Sequence, residues 1–220
     1  MSGLHQFAPL TTAEIAASRI FREPDTRAAP IMPIPHEAGE CDLRFDGRKP
    51  DEKYWFRDAA GAVLFGELQW RRLGCDKHVR PCVYTRDGWR AEAPASPRAM
   101  FNLDKLAAAQ DALVILFEGP RKATRAASCF SRTLCSAFAG GANAAKQIDF
   151  SPMRGRAVTL WRDADEAGAF WQSATIEALQ SAGVGSIRFV DPARLPAHMW
   201  ELVPENKRDK LDVVAQGDRT

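Results

Sequence analysis

Glu118-Gly119 closes one short apolar run of this chain, and Asp163-Ala164-Asp165, with Glu166 and Gly168 behind it, closes another. An acid placed directly after a strand and before a helix sits at the carboxyl end of a sheet, where open α/β folds bind their ligands. Three carboxylates gathered there would repel one another in a partly dry cleft, and a divalent, oxygen-seeking cation is the natural way to keep all three ionised. The chemistry expected of Glu118, Asp163 and Asp165 is therefore metal-assisted phosphate chemistry.

The elements that must hold these acids can be read from the pattern around them. Ala112 to Phe117 and Ala157 to Trp161 are nearly continuous apolar runs bounded by breakers, as in strands buried on both faces of a parallel sheet. From about residue 111 the order is strand, helix, strand, helix, strand, helix, strand, with strands expected at 112–117, 133–138, 157–161 and 186–190. Phe170, Trp171, Ala174, Ala178, Leu179 and Ala182 recur at helical spacing and form an apolar face that can lie on the sheet. Crossovers of this length imply parallel pairing and right-handed connections.

Upstream, residues 53 to 92 read as a small antiparallel unit: Tyr54-Trp55-Phe56, a turn at Asp58 to Gly61, Val63 to Trp70, Val79 to Tyr84, and a turn at Asp87-Gly88 into Trp89. Leu64, Gly66, Leu68 and Trp70 alternate with Phe65, Glu67, Gln69 and Arg71, which predicts one wet face. The aromatic residues of this unit are expected in its core, with base stacking as the functional alternative. Thr11-Thr12-Ala13-Glu14 reads as a capping box ahead of a helix through about Phe21, and prolines 24, 30, 33, 35 and 50 make a connector behind it. The expected organisation is an N-terminal helix and Pro-rich connector over 1–50, the antiparallel β subdomain over 51–98, an α/β domain over 99–203 and a polar tail over 204–220.

Composition bounds the function. A chain of 220 residues with 45% hydrophobic and 26% charged content is long enough to bury a substantial core. The net charge of +2 does not demand a nucleic-acid partner, although Arg71-Arg72, Arg121-Lys122 with Arg125, and Arg154 with Arg156 are local basic clusters compatible with one. No apolar run approaches bilayer length, so no membrane partner is expected and the cytoplasm is the default location. The five cysteines are odd in number and suit a reducing compartment. Cys75, His78 and Cys82 lack the paired CxxC spacing of a structural zinc site, so small buried side chains and a loop histidine are expected there.

In combination these residues resemble the Toprim domain shared by bacterial replicative primases, topoisomerases and several nucleases. The resemblance rests on the strand ending in Glu118-Gly119, the strand ending in Asp163-Ala164-Asp165 with Gly168 behind it, and the βα order between and after them. The likeness is closest to Toprim primase or primase-helicase components of phages, plasmids and integrated elements. Segments like Asp76-Lys77 through Pro81, Asp87-Gly88-Trp89, Pro97 through Leu106, and Gly140 through Arg156 belong to that pattern, so it covers roughly residues 53 to 200. It implies a Toprim-like parallel sheet of about four strands flanked by helices, preceded by the small antiparallel β-rich subdomain.

The resemblance also implies a magnesium- or manganese-dependent nucleotidyltransferase of primase type, acting on single-stranded DNA and nucleoside triphosphates, with a separate helicase or replication protein as a further partner. Asp163 and Asp165, with Glu118 directly or through water, would hold the metal, and Glu118 would alternatively serve as general base. Arg121, Lys122, Arg125 and Arg162 are the candidate phosphate contacts, and Lys77 and Arg80 the candidate template or nucleotide contacts on the small sheet. The alternatives are a Toprim nuclease using the same acids, and a non-catalytic Toprim scaffold that binds nucleic acid, a replication partner or a host protein. Topoisomerase activity fits poorly, because the only tyrosines, Tyr54 and Tyr84, lie in the small β unit. The chain departs from the family at Pro120 and Lys122, where many members carry carboxylates, and at Trp200-Glu201, where the closer relatives often have a tryptophan-aspartate pair.

Overall fold

The computed structural model describes residues 27–71, 77–163 and 165–190. The capping box at Thr11 to Glu14, Arg72, Cys75, Asp76, Trp200-Glu201 and the tail beyond Pro204 lie outside the described residues. Among the described residues, two four-stranded sheets organise the fold. The first is antiparallel, in the order β1-β2-β3-β4, formed by β1 (Glu52–Arg57), β2 (Val63–Trp70), β3 (His78–Thr85) and β4 (Gly88–Arg90). Asp58 sets the β1–β2 turn by accepting from the Ala60 and Ala62 amides at 2.9 Å each.

The second sheet is parallel, with strands in the order β6-β5-β7-β8: β5 (Val114–Phe117), β6 (Leu134–Ala137), β7 (Ala157–Trp161) and β8 (Ser186–Phe189). Helix α1 (Leu103–Ala108) precedes β5, α2 (Pro120–Ala127) joins β5 to β6, and α3 (Glu166–Ala182) joins β7 to β8. The fold is thus α/β, with a parallel sheet flanked by helices and an antiparallel sheet ahead of it. The connection from β6 to β7 departs from the expected helix. It is built from two 3-10 segments, Ala142–Gln147 and Ser151–Met153. Gly140 and Gly141, at φ of 97° and 64°, precede the first segment, and Pro152, which has no N–H to donate, lies within the second.

Alternation along β5 explains why its apolar run is unbroken. Val114 and Leu116 face one core with Leu106, Ala144, Ile148, Met153, Trp171 and Leu179; Ile115 and Phe117 face another with Ala123, Ala126, Phe56, Phe65 and Val83. The parallel sheet is therefore the middle layer, with α1, α3 and the 3-10 segments on one side and α2 with the antiparallel sheet on the other. Complete burial of a side chain of this size contributes roughly 1.5–3 kcal/mol, so these two faces hold the strand ends in place. On the far side of the antiparallel sheet, Leu68, Trp70, Cys82 and Cys41 form a third cluster.

Two expectations about faces are corrected. Glu67 and Gln69 are only 5% and 2% exposed, because the face they share with Phe56 and Phe65 is turned inward and is not wet. Phe170 is 56% exposed while its neighbour Trp171 is fully buried, since adjacent helical residues point about 100° apart. Ala174, Ala178 and Ala182 do pack against the core beside Trp171 and Leu179.

Candidate active site

Glu118 and Asp163 meet because β5 and β7 are in-register parallel neighbours, with Phe117 opposite Trp161. Each acid follows its strand by one or two residues, so both emerge at the same carboxyl edge. Glu118 Oε1 accepts a hydrogen bond from the Asp163 amide at 2.6 Å. Gly119 is the extended N-cap of α2 and Pro120 occupies its first turn, where a missing N–H costs nothing and the fixed φ suits a helix start. This geometry brings Lys122, one turn after Glu118, onto the same edge, and its Nζ pairs with Asp163 Oδ1. The pair is well covered, with side chains 18% and 12% exposed.

Asp165 is the N-cap of α3, its Oδ1 accepting from the Gly168 amide at 2.8 Å. Arg162 donates from Nη1 to the Asp163 carbonyl at 3.1 Å. Gly168 lies beneath the acids: a Cβ there would sit 2.3 Å from the Asp163 carbonyl oxygen and 2.8 Å from Glu118 Oε1. An exposed helical Gly→Ala change ordinarily gains about 1 kcal/mol. Gly168→Ala is expected to reverse that sign and destabilise the chain by about 1–3 kcal/mol through overpacking. Urea unfolding of parent and variant checks it; a more stable variant would mean that the acids are not braced by this glycine.

The remaining predicted cations divide between two places. Arg121 turns away from the acids and crosses to the antiparallel sheet, with Nε 3.2 Å and 3.0 Å from the two carboxylate oxygens of Glu52. Arg71 Nε lies 3.7 Å from Glu52 Oε2, and Arg125 is exposed on the same helix as Arg121. Burial, then the charge of Arg121, holds the Arg71 guanidinium below its ordinary value, with Arg125 adding to the effect and Glu52 opposing it. Burial and the neighbouring Glu52 carboxylate push the Tyr54 phenol up.

Lys77 is exposed just before β3. Arg80, exposed on β3 and opposite Leu68 in register, projects with the third apolar cluster and donates from Nε to His78 Nε2 at 3.0 Å. Arg80 is therefore not gathered with the acids.

Reading the residues one by one missed Glu52, Tyr54, Glu67, Gln69 and Arg71, which line one face of β1 and β2. The signal was present as polar residues two apart in strands whose other positions are apolar. Gln69 donates from Nε2 to Glu67 Oε1 at 2.8 Å, while burial pushes the Glu67 carboxyl up against the pull of Gln69 and Lys77. His78 stacks on Phe45 with ring centroids 3.7 Å apart, and Cys82 packs in the third cluster beside Cys41.

The acid edge suits a hard cation in its chemistry: its donors are carboxylate oxygens, and a positive group, the Lys122 ammonium, already stands against Asp163. Glu118 contacts the Asp163 amide, Asp165 caps α3, and no trio of His, Cys, Asp or Glu side chains among the described residues forms a ready-made metal cage. Among the described residues no helix is long and apolar enough to cross a membrane.

No protein-family model matches the chain, and no curated protein sequence does. Among solved structures it is similar to the primase fragment of the bacteriophage T7 primase-helicase protein, at 18% identity and a TM-score of 0.42, over 74% of this chain and 60% of that one. It is also similar to a DNA primase domain from Pseudomonas aeruginosa, at 14% identity and a TM-score of 0.43, over 73% and 50%. A third similar structure holds the zinc-binding and RNA polymerase domains of the Aquifex aeolicus primase, at 19% identity and a TM-score of 0.42, over 73% and 39%. The chain thus spans 39% to 60% of the length of these structures.

Proposed function

We propose that the chain is a Toprim-type nucleotidyltransferase of primase kind, joining nucleoside triphosphates into short primers on a single-stranded DNA template. The observation that carries this reading is the meeting of Glu118 and Asp163 at the ends of adjacent parallel strands, 45 residues apart in sequence. Asp163 and Asp165, with Glu118, would hold magnesium or manganese, which supplies Lewis acidity at a triphosphate when bound.

Alternatively Glu118, which accepts from the Asp163 amide, would act as general base and take the proton of an attacking 3' hydroxyl. Arg162 and Lys122 border the acids and would serve as phosphate contacts, Arg125 would be a further one from the exposed side of α2, and Arg121 ties α2 to the sheet through Glu52. The antiparallel sheet would carry template or nucleotide, with Lys77 and Arg80 as its contacts. A separate helicase or replication protein is the expected partner of such an activity, in a phage or mobile-element setting. The test is incorporation of labelled nucleotides into short products on single-stranded DNA with magnesium or manganese. Product is expected from the parent chain and none from Asp163→Ala; equal product from both would exclude this site.

One observation favours a second reading, a non-catalytic Toprim scaffold that binds nucleic acid or a protein partner. Lys122 pairs with Asp163 from within the chain, so that carboxylate already has a counter-charge without an added ion. Nucleic-acid binding that is indifferent to metal, together with no metal-dependent thermal shift, would select this reading over the first.

A further inference from the structure

The first turn of α2 carries Arg121 and Lys122 and no acid. Cations there oppose the positive end of the helix dipole, so an anion from outside the helix stabilises each. Arg121 takes Glu52 from the antiparallel sheet, and Lys122 takes Asp163 from the end of β7. The Lys122–Asp163 pair is largely shielded from water, where an ion pair is screened far less than at the surface. Lysine is also a compact point charge on a flexible stem, able to leave one partner for another without moving the helix.

We propose that Lys122 is a resident counter-ion which a divalent cation must displace from Asp163, making Lys122 the residue that sets metal affinity at this edge. This rests on the reading that the acids bind metal. A metal ion and the ammonium need the same carboxylate, and like charges at one carboxylate oppose each other. Removal of the ammonium therefore favours the metal, and its replacement by another fixed cation does not.

The experiment is calorimetric titration of manganese into the full chain as parent, Lys122→Gln, Lys122→Arg, Asp163→Asn, and Lys122→Gln combined with Asp163→Asn, with a thermal melt of each to establish folding. Lys122→Gln is expected to bind manganese at least about tenfold tighter than the parent, Lys122→Arg to stay near the parent, and the double variant to lose the gain. Equal or weaker binding by Lys122→Gln overturns the counter-ion role alone, provided Asp163→Asn in the parent background still abolishes binding. A gain that survives Asp163→Asn places the ion elsewhere and also overturns it. Absence of manganese binding in every folded variant overturns the metal reading itself, and the inference with it. If Lys122→Gln does not fold, Lys122→Met replaces it under the same criteria.

Discussion

Glu118→Gln is expected to reduce primer synthesis by about 10²–10⁴-fold while leaving stability within about 1 kcal/mol of the parent. The separation of the two effects follows from the geometry. A carboxamide oxygen can still accept from the Asp163 amide, so the 2.6 Å contact that braces the β7 end is retained. What is lost is negative charge, and with it the ability to take a proton or to share in binding a cation. Glu118→Ala should behave differently: it also leaves the Asp163 amide without this acceptor, adding about 1–3 kcal/mol of destabilisation. Steady-state incorporation assays and urea unfolding on the two variants separate chemistry from scaffolding. Full turnover by Glu118→Gln would remove Glu118 from the reaction and leave it a bracing role only.

The largest stability effect is expected at Arg156, which precedes β7 and is only 6% exposed. Its guanidinium donates to three backbone carbonyls: Nη2 to Leu106 at 2.6 Å, Nη1 to Ala109 at 2.7 Å, and Nε to Pro152 at 2.8 Å. The first two lie at the end of α1, where carbonyls lack intrahelical partners and a cation is favoured by the dipole. Arg156 thus ties α1 and the second 3-10 segment to the start of the strand that ends in the acids. Arg156→Met keeps much of the bulk and removes every donor, for an expected loss of about 3–5 kcal/mol. Arg156→Lys, with a smaller donor head, should fall between parent and Met. Urea midpoints at constant slope measure the series. A Met variant as stable as the parent would show that these carbonyls are satisfied equally well in its absence.

The strands were legible because burial on both faces leaves an unambiguous apolar run: β7 lies over the expected residues, and β5, β6 and β8 within two residues of them. The β6–β7 crossover was not legible as 3-10 segments, since Ala142 to Gln147 has helical composition and only its glycine and proline borders limit it. Within the site, a strand-end rule sufficed to place Glu118 and Asp163 on one edge. No such rule assigns partners to side chains. Arg121 and Lys122 are adjacent in sequence and equal in charge, yet one reaches β1 and the other β7, because successive helical residues point in directions about 100° apart.

The amino-acid order alone determined the parallel sheet, the antiparallel unit ahead of it and the two acidic strand ends, since each depends on local periodicity and breakers. Only the tertiary structure decided that the Glu67 and Gln69 face turns inward, that Glu52 receives Arg121 and that Lys122 holds Asp163. Those outcomes depend on which layers stack on which, and stacking is set by total buried area across the molecule, a quantity that no single stretch of residues contains.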